Sequence, residues 1–251
     1  MAVENGIVRF YRPTNDNSLE ESRKWTEMQR RDSGADVYEK YFSKFATSVE
    51  KESILAALQP SADDVVIELG VGTGRMASAY APLVRGVLGV DLSRRSLEIA
   101  RSRLEAVGAK FCLVQSDVCR LPIKTGCFGK AVSPEVFEHL LSAQARNDGL
   151  AEAARILGPG GRFIITVYHY SMLKRLRNAL QSGRCLKEDY GPDYAFSFSR
   201  SEFKEWLSSH FEVESITGIR SAILERLPVL GRFGLWGERA VSTSRKAIPH
   251  P

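Results

Sequence analysis

The sequence lacks the features that mark metal-binding, secreted and membrane-spanning proteins. It has four cysteines in 251 residues, and they form no Cys-x-x-Cys pair and have no histidine pair at metal-ligand spacing nearby. We therefore expect neither a metal site nor a disulfide framework. The N-terminal residues lack the apolar segment of a signal peptide. A membrane-spanning helix needs about 18 consecutive apolar residues, and no stretch of the sequence approaches this length. We predict a cytoplasmic protein.

The sequence also lacks a strong charge bias. Lysines and arginines number 35 against 30 aspartates and glutamates, which leaves a net charge of +5 without a long basic run. An ordinary surface explains this balance, and attraction to an anionic substrate or membrane surface is the alternative. The one candidate for a nucleic-acid contact is the short segment 174–177, so we expect no nucleic-acid partner. Apolar residues make up 43% and charged residues 26% of the chain, which is typical of a globular domain.

What the sequence does contain is an alternation of strand and helix patterns. Short apolar runs predict buried strands, and the amphipathic stretches between them predict helices. Such an alternation is typical of βαβ units around a mostly parallel sheet with helices on both faces. The strand patterns are 65–67, 87–90, 111–114, 130–132 and 163–167, and the helical patterns between them are 75–84, 96–107 and 144–157.

The segments on either side of this core have different expected roles. Residues 1–60 are predicted to form a helical N-terminal arm or lid, whose first 35 residues lie outside the core and whose clearest helix pattern is 36–58. Residues 61–251 are predicted to form one domain. Apolar and aromatic segments at about 171–200 and 222–237 are predicted to cap a pocket in that domain. Two late strands are predicted at 211–218 and 239–246.

The strongest local signal is a glycine-rich turn directly after the first strand pattern. The segment reads Glu68-Leu-Gly70-Val-Gly72-Thr-Gly74, and glycines there allow positive φ and a close approach of the backbone to a ligand. The loop also fits the G-x-G-x-x-A pattern of dinucleotide-binding proteins. By itself it therefore does not separate a nicotinamide-dependent oxidoreductase from other nucleotide-binding proteins.

Three acids that follow the first three strand patterns separate these alternatives. Glu68 suits a cationic ligand group, whereas it would repel a pyrophosphate. Asp91 follows the second strand, where a carboxylate can accept hydrogen bonds from both ribose hydroxyls. Asp117 follows the third strand, where a carboxylate can accept a hydrogen bond from an exocyclic amine. Because the carboxyl ends of parallel strands share one edge, we expect the acids and the glycines to converge on one crevice.

In this combination the chain resembles the class I S-adenosylmethionine-dependent methyltransferases. The resemblance implies a Rossmann-like, seven-stranded, mostly parallel sheet with an antiparallel last strand. It also implies S-adenosyl-L-methionine as the cofactor and S-adenosyl-L-homocysteine as its product, but it says little about the methyl acceptor. The segments that carry the resemblance are 68–74, 89–93, 116–118, 132–140 and 155–162.

The resemblance implies a set of cofactor-binding residues. The glycines would line the methionine portion of the cofactor with Ser133 beside them, Asp91 would hold the ribose, and Leu92 would pack on the adenine. The residues after the third strand would meet the adenine edge. Tyr38 stands where relatives often have a tyrosine that closes over the cofactor, and a core aromatic is the alternative. The full expected set is Tyr38, Glu68, Gly70, Gly72, Gly74, Asp91, Leu92, Asp117, Val118 and Ser133.

The catalytic residues are less clear, because methyl transfer from a sulfonium needs little chemistry from the protein. The reaction is an in-line displacement, for which the protein mainly supplies proximity and alignment. A general base is needed only if the acceptor arrives protonated. The candidates for a catalytic role are His139, Tyr168 and His169, with Glu135 as a further candidate base. The alternative is that these side chains form the wall of the pocket.

The sequence thus predicts an enzyme that methylates a small, hydrophobic or aromatic acceptor. The apolar cap segments favour such an acceptor, and ordinary packing of these segments is the alternative. The segment 223–236 could instead contact a membrane surface or a second copy of the chain in a homodimer. An RNA or protein methyltransferase and a non-catalytic, cofactor-binding regulatory protein are the other functions compatible with the motifs. No motif identifies the acceptor or the methylated atom.

Overall fold

The computed structural model describes residues 2–10, 19–37, 44–170, 188–189, 194–219 and 239–247. Its N-terminal part forms a β-hairpin and two helices. The hairpin turns through Asn5 and Gly6, whose φ angles of 52° and 72° are typical of tight two-residue hairpin loops. The elements are β1 (Ala2–Glu4), β2 (Ile7–Arg9), α1 (Leu19–Gly34) and α2 (Lys44–Leu58).

The central part alternates strands with helices, as predicted. Ser93 and Ser142 begin two of the helices as N-caps, since each hydroxyl accepts a hydrogen bond from the backbone N–H three residues further on. The elements are β3 (Val65–Leu69), α3 (Ala77–Tyr80), β4 (Gly86–Asp91), α4 (Arg94–Ala106), β5 (Phe111–Gln115), β6 (Phe128–Pro134), α5 (Ala143–Ile156) and β7 (Leu157–Tyr168).

The C-terminal part adds two long strands, a short hairpin and one helix to the described structure. Ser199 begins the helix in a capping box with Glu202, which satisfies two backbone N–H groups reciprocally. The late strands fall where the sequence predicts them. The elements are β8 (Glu188–Asp189), β9 (Ala195–Phe196), α6 (Arg200–Ser208), β10 (Phe211–Ile219) and β11 (Arg239–Lys246).

The main sheet has the order β1-β2-β5-β4-β3-β6-β7-β11-β10. Neighbouring strands from β2 to β7 in this order pair in parallel, and β11 pairs antiparallel with both β7 and β10. The predicted class, a Rossmann-like sheet with an antiparallel last strand, is confirmed. The sheet of the described residues has nine strands instead of the predicted seven, because the N-terminal hairpin extends the edge formed by β5.

This hairpin corrects one expectation about the N-terminus. We expected the first 35 residues to lie outside the core, but Ile7 is fully buried and its strand pairs with Leu113 and its neighbours in β5. A strand of three residues is too short to produce a periodic pattern, and its burial depends on pairing with a segment about a hundred positions away. The sequence therefore gave no local signal for it.

The sheet separates two apolar layers, and alternate residues of each strand belong to different layers. In β3, Val66 packs towards Ile54 and Leu58 of α2, together with side chains of α3 and α4. Ile67 and Leu69 face the opposite layer, which includes side chains of α5 and α6. Both faces of the sheet are therefore covered, which explains why the central strands read as nearly continuous apolar runs.

The functional edge of the sheet follows from the strand order. The chain passes from β3 to β4 on one side and reaches β6 on the other side of β3, so the connections that leave β3 and β6 diverge. In open parallel sheets, ligands bind in the crevice at such a switch point, outside the carboxyl ends of the strands. The glycine loop after β3 and the segment after β6 therefore both border this crevice.

We expect Ile7→Ala to lower the free energy of unfolding by about 2–4 kcal/mol, because it removes a fully buried side chain between β2 and β5. Urea unfolding monitored by circular dichroism measures this change. Val3→Ala is the matched control, because Val3 lies in the same hairpin and is 59% exposed. Equal, small effects of the two substitutions would show that the hairpin is not part of the folded core.

Candidate active site

The glycine loop is fixed by close contacts on two sides and has space on the third. Gly70, Gly72 and Gly74 have φ angles of 72°, 52° and 75°, a region that favours glycine. A Cβ atom at Gly70 would lie 2.1 Å from Val136 Cγ2, and one at Gly74 would lie 3.2 Å from the Cα atom of Ala100. A Cβ at Gly72 would meet no atom within 4 Å. The loop therefore packs against the segment after β6 and against α4, while its middle faces space for a ligand.

Asp91, at the end of β4, connects this loop to the neighbouring strand. Its Oδ2 atom accepts a hydrogen bond from the backbone N–H of Gly72 at 2.8 Å, and Oδ1 accepts one from the N–H of Ser93 at 2.8 Å. Burial raises the pKa of Asp91, while these two N–H groups and the charge of Arg31 lower it. Each carboxylate oxygen has a further lone pair, so Asp91 can still accept hydrogen bonds from a ligand.

Asp117, after β5, is engaged by the N-terminal helix. Its Oδ1 atom accepts a hydrogen bond from the N–H of Cys119 at 2.8 Å, and Oδ2 lies 3.2 Å from Nζ of Lys24 in α1. Val118 beside it is buried. The expected partner of an exocyclic amine thus lies at the sheet edge, but it is paired with a lysine from a part of the chain that the motifs do not cover.

The helix α1 is also anchored at the start of α4. Asp32 Oδ1 accepts hydrogen bonds from Ser93 Oγ at 2.6 Å and from the N–H of Arg95 at 3.0 Å. Because Ser93 also donates its N–H to Asp91, this contact lies directly beside the expected ribose site. The helix therefore runs across the carboxyl ends of β4 and β5.

Glu68 and Ser133 hold parts of the protein, whatever they do towards a ligand. Glu68 is buried and accepts a hydrogen bond from Tyr80 Oη at 2.5 Å. Burial raises the pKa of Glu68 to about 8, against the opposing effects of Tyr80 and Arg75. Ser133 is also buried, and its hydroxyl donates to the carbonyl of Leu69 at 3.1 Å. In the structure these two side chains tie β3 to α3 and to β6.

A buried network of ion pairs lies at the same edge, under the other half of the crevice. Nη1 of Arg75 lies 2.8 Å from Oε2 of Glu50, and its Nη2 lies 3.9 Å from Oε2 of Glu135. Arg239 forms ion pairs with the same two glutamates, at 3.4 Å from Glu50 Oε2. These four side chains join α2, the glycine loop, the turn after β6 and the start of β11.

Glu135 itself has a strained backbone. Its φ angle is 57°, which is uncommon for a residue other than glycine. Its N–H donates to both the carbonyl and the hydroxyl of Thr166, each at 3.1 Å, and its carboxyl is buried between two arginines. Burial and the charge of Glu50 raise the pKa of Glu135, while both arginines lower it. Strain of this kind persists where the surroundings hold it, often at functional sites.

Two of the three candidate catalytic residues come together above this network. The rings of His139 and Tyr168 meet edge to face with centroids 5.6 Å apart, and the guanidinium of Arg239 lies 5.6 Å from the Tyr168 ring. His139 Nδ1 lies 2.9 Å from the carbonyl of Tyr194. His169 follows Tyr168 and forms a backbone bridge with Phe198.

The contact with Tyr194 determines the state of the His139 ring. A carbonyl oxygen can only accept, so Nδ1 carries the proton and Nε2 keeps its lone pair. Burial, with the charge of Arg31, lowers the pKa of His139 to about 3. The neutral ring is therefore a fixed hydrogen-bond acceptor and a weak base at neutral pH.

The sequence reasoning missed Glu50, Arg75, Arg239 and Lys24. A signal existed for Glu50, because it stands four and eight positions before Ile54 and Leu58, on the buried stripe of α2. An acid in an apolar stripe indicates a buried partner. The two arginines had no such signal, because their partners lie on other elements, up to 189 positions away.

Some expectations concern residues that the structure does not describe. Tyr38 and most of the two cap segments lie outside the described residues, so their expected roles stay predictions. Within the described ranges, no helix has both the length and the apolar composition needed to cross a bilayer. In the same part of the chain, no group of three or more His, Cys, Asp or Glu side chains is arranged so that it could hold a metal ion.

Comparison with known proteins gives this site its context. Residues 67–165 match the family model of a methyltransferase domain. An O-methyltransferase from Pyrenophora dematioidea is 29% identical over 125 residues, which are 49% of this chain and 46% of that protein. A tRNA (carboxymethyluridine(34)-5-O)-methyltransferase from Mus musculus is 29% identical over 104 residues, 41% of this chain and 14% of that protein. The chain spans less than half the length of either relative.

A solved structure resembles the chain over most of its length. The N-methyltransferase NodS from Bradyrhizobium japonicum, in complex with S-adenosyl-L-homocysteine, superposes with a TM-score of 0.65. The match covers 89% of this chain and 98% of that one at 12% sequence identity. At this identity the likeness establishes the fold and leaves the acceptor open.

Proposed function

Because the chain carries a methyltransferase domain of the class I, S-adenosylmethionine-dependent type, we propose that it transfers a methyl group to a small, hydrophobic or aromatic acceptor. The observation that carries the methyl-transfer part of the proposal is the convergence of Gly72 and Asp91 at the switch point of the sheet, and the apolar, aromatic cap segments favour the acceptor class. The O-methyltransferase relative and the N-methyltransferase neighbour are both compatible with such an acceptor.

The residues at the crevice fit S-adenosyl-L-methionine. Asp91 keeps lone pairs for the ribose hydroxyls, and Leu92 follows it at the position for packing on adenine. Asp117 and Val118 lie at the next strand end, where the adenine edge would be bound. The space beside Gly72 suits the methionine portion, because Gly72 has no side chain and no other protein atom fills the position that a side chain would take.

In this reaction the protein mainly aligns the acceptor atom with the methyl group. The bound cofactor supplies a methyl group that is already activated by the positive sulfur, so no residue needs to activate it. Nε2 of His139 can accept a hydrogen bond from the acceptor and so direct the acceptor atom. Because the pKa of His139 is low, the ring is a poor general base at neutral pH. We therefore assign His139 a role in orienting the acceptor. Tyr168 and His169 would line the same wall.

Cofactor binding should depend on the charge of Asp91. We expect Asp91→Asn to weaken binding of S-adenosyl-L-homocysteine about 10- to 100-fold, because charge-assisted hydrogen bonds to the ribose are lost. Isothermal titration calorimetry measures the change. Asp63→Asn, at an exposed acid outside the crevice, is the control and should bind like the wild type. Heat with NADH instead of the methyltransferase cofactors would contradict the proposal.

We propose that the N-terminal segment acts as a lid over the cofactor. This role predicts the direction in which substitution of Lys24 changes the affinity for the cofactor. Lys24 occupies the carboxylate that the adenine amine would use, so Lys24→Met should tighten binding of S-adenosyl-L-homocysteine. A partly exposed ion pair contributes about 0–1 kcal/mol, so the change should be up to about fivefold. Lys204→Met, at an exposed position of α6, controls for loss of charge. Weaker binding in Lys24→Met would show that Lys24 contacts the cofactor and does not compete with it.

The acceptor class is tested by methyl transfer from radiolabelled S-adenosyl-L-methionine. We expect label in small aromatic and hydroxylated or aminated acceptors, and none in total tRNA. The tRNA substrate is included because one relative is a tRNA methyltransferase. Incorporation into tRNA alone would replace the small-molecule proposal. Cofactor binding without transfer to any acceptor would favour a non-catalytic regulatory protein.

A further inference from the structure

Glu138 is a buried acid that the proposed mechanism does not use. It lies in the turn after β6 and is completely buried. No other described residue forms a hydrogen bond with either of its carboxyl oxygens. Leaving a buried polar group without a partner destabilises a protein, and more so when the group is charged. Such a group in a native structure therefore indicates a partner that the described residues do not supply, such as a ligand.

The surroundings of Glu138 are rich in negative charge. Burial and the charges of Glu135 and Glu50 raise the pKa of Glu138, and the charge of Arg239 opposes them. Arg239 already pairs with both of those glutamates, and so does Arg75. Among the described residues, this cluster of Glu50, Glu135, Glu138, Arg75 and Arg239 thus holds three carboxyls and two guanidiniums.

The location of the cluster places it at the acceptor half of the crevice. Glu135 and Glu138 follow β6, and Arg239 begins β11 opposite Tyr168 at the end of β7. The proposed adenosine residues lie on the other side of β3, at the ends of β4 and β5. His139, whose Nε2 we assign to acceptor orientation, is the next residue in the chain after Glu138.

We propose that the cluster binds a protonated amine of the methyl acceptor, with Glu138 as its direct partner. A single cation with N–H donors would balance the third carboxyl and satisfy the oxygens of Glu138 together. A hydroxyl group would leave the surplus charge, and an anionic acceptor would be repelled. The proposal deepens the proposed function and rests on it, because it names the chemical class of the acceptor.

The test uses a small amine as a probe and needs no knowledge of the acceptor. The melting temperature of the full-length protein is measured in methylammonium chloride and in tetramethylammonium chloride at equal ionic strength, with and without S-adenosyl-L-homocysteine. Tetramethylammonium carries the same charge but has no N–H donor. We expect methylammonium at about ten times its Kd to raise the melting temperature of the wild type by about 3–5 °C. Glu138→Gln should remove this difference.

The pH dependence of the stability of the same variants tests whether the Glu138 carboxyl lacks a partner in the folded protein or stabilises the fold through one. Burial and the charge of Glu135 raise the pKa of Glu138 in the folded state. Its ionisation therefore destabilises the folded state above the pKa of the unfolded carboxyl, near 4.3. Without a probe, we expect Glu138→Gln to be more stable than the wild type, by a margin that grows from nearly zero as pH rises above this value.

Glu152→Gln is the matched control, because Glu152 is paired with Arg155 and accepts from the N–H of Leu121. These partners lower the pKa of Glu152 although partial burial raises it, so its ionised form stabilises the fold. The control should become less stable than the wild type as pH rises, and it should keep the response to methylammonium.

The results distinguish this inference from the proposed function. An equal response to both cations in the wild type would overturn the amine site, and so would a Glu138→Gln variant less stable than the wild type at neutral pH. Failure of the wild type to bind S-adenosyl-L-homocysteine would overturn the methyltransferase proposal instead. That binding is measured on the same samples, so the two failures are separable.

Discussion

The hydrogen bond between the N–H of Gly72 and the carboxylate of Asp91 is the interaction on which the site depends. It joins the loop after β3 to the end of β4, at 2.8 Å, and so fixes the loop that three positive φ angles turn away from the sheet. The same carboxylate accepts from the N–H of Ser93, the N-cap of α4. One side chain thus positions a loop, a strand and a helix around a single crevice.

The acids in the two halves of the crevice have different kinds of partner. At the ends of β4 and β5, Asp91 and Asp117 accept hydrogen bonds from backbone N–H groups, and Asp117 also pairs with the partly exposed Lys24 of α1. In the other half, Glu135 after β6 and Glu50 in α2 each pair with the guanidiniums of Arg75 and Arg239 instead. The first arrangement suits hydroxyl and amine donors of a ligand. In the second, the buried charges nearly balance, and one further carboxyl, that of Glu138, has no hydrogen-bond partner among the described residues.

The sequence predicted those parts of the molecule that depend on local pattern. Apolar runs that end in glycine or aspartate identify the strands β3, β4 and β5 together with their ligand-binding ends, because strand, turn and acid lie within a few positions. Asp91 and Asp117 were expected at these strand ends for this reason, and their role towards a ligand stays a prediction.

Features that depend on distant pairing were not predictable. Ile7 is buried because its strand pairs with β5, and Glu50 meets Arg239 across 189 positions. The expected role of Glu68 illustrates a second limit. Its place before the glycines suggested a cationic ligand, and that role stays a prediction, but no sequence pattern indicated that its carboxyl accepts a hydrogen bond from Tyr80 of α3. A position in a motif specifies the backbone better than it specifies the direction of a side chain.

The network also explains how the two halves of the crevice form one unit. Arg75 is the residue directly after Gly74, and it pairs with Glu50 and Glu135. Glu135 belongs to the turn whose Val136 packs against Gly70. The glycine loop is therefore held at its start by packing against this turn and at its end by an ion pair to the same turn. Because the loop and the turn are in contact at both points, we expect a shift of the turn after β6 to move the loop as well. The glycine loop and the turn after β6 are thus mechanically a single element, although they follow different strands.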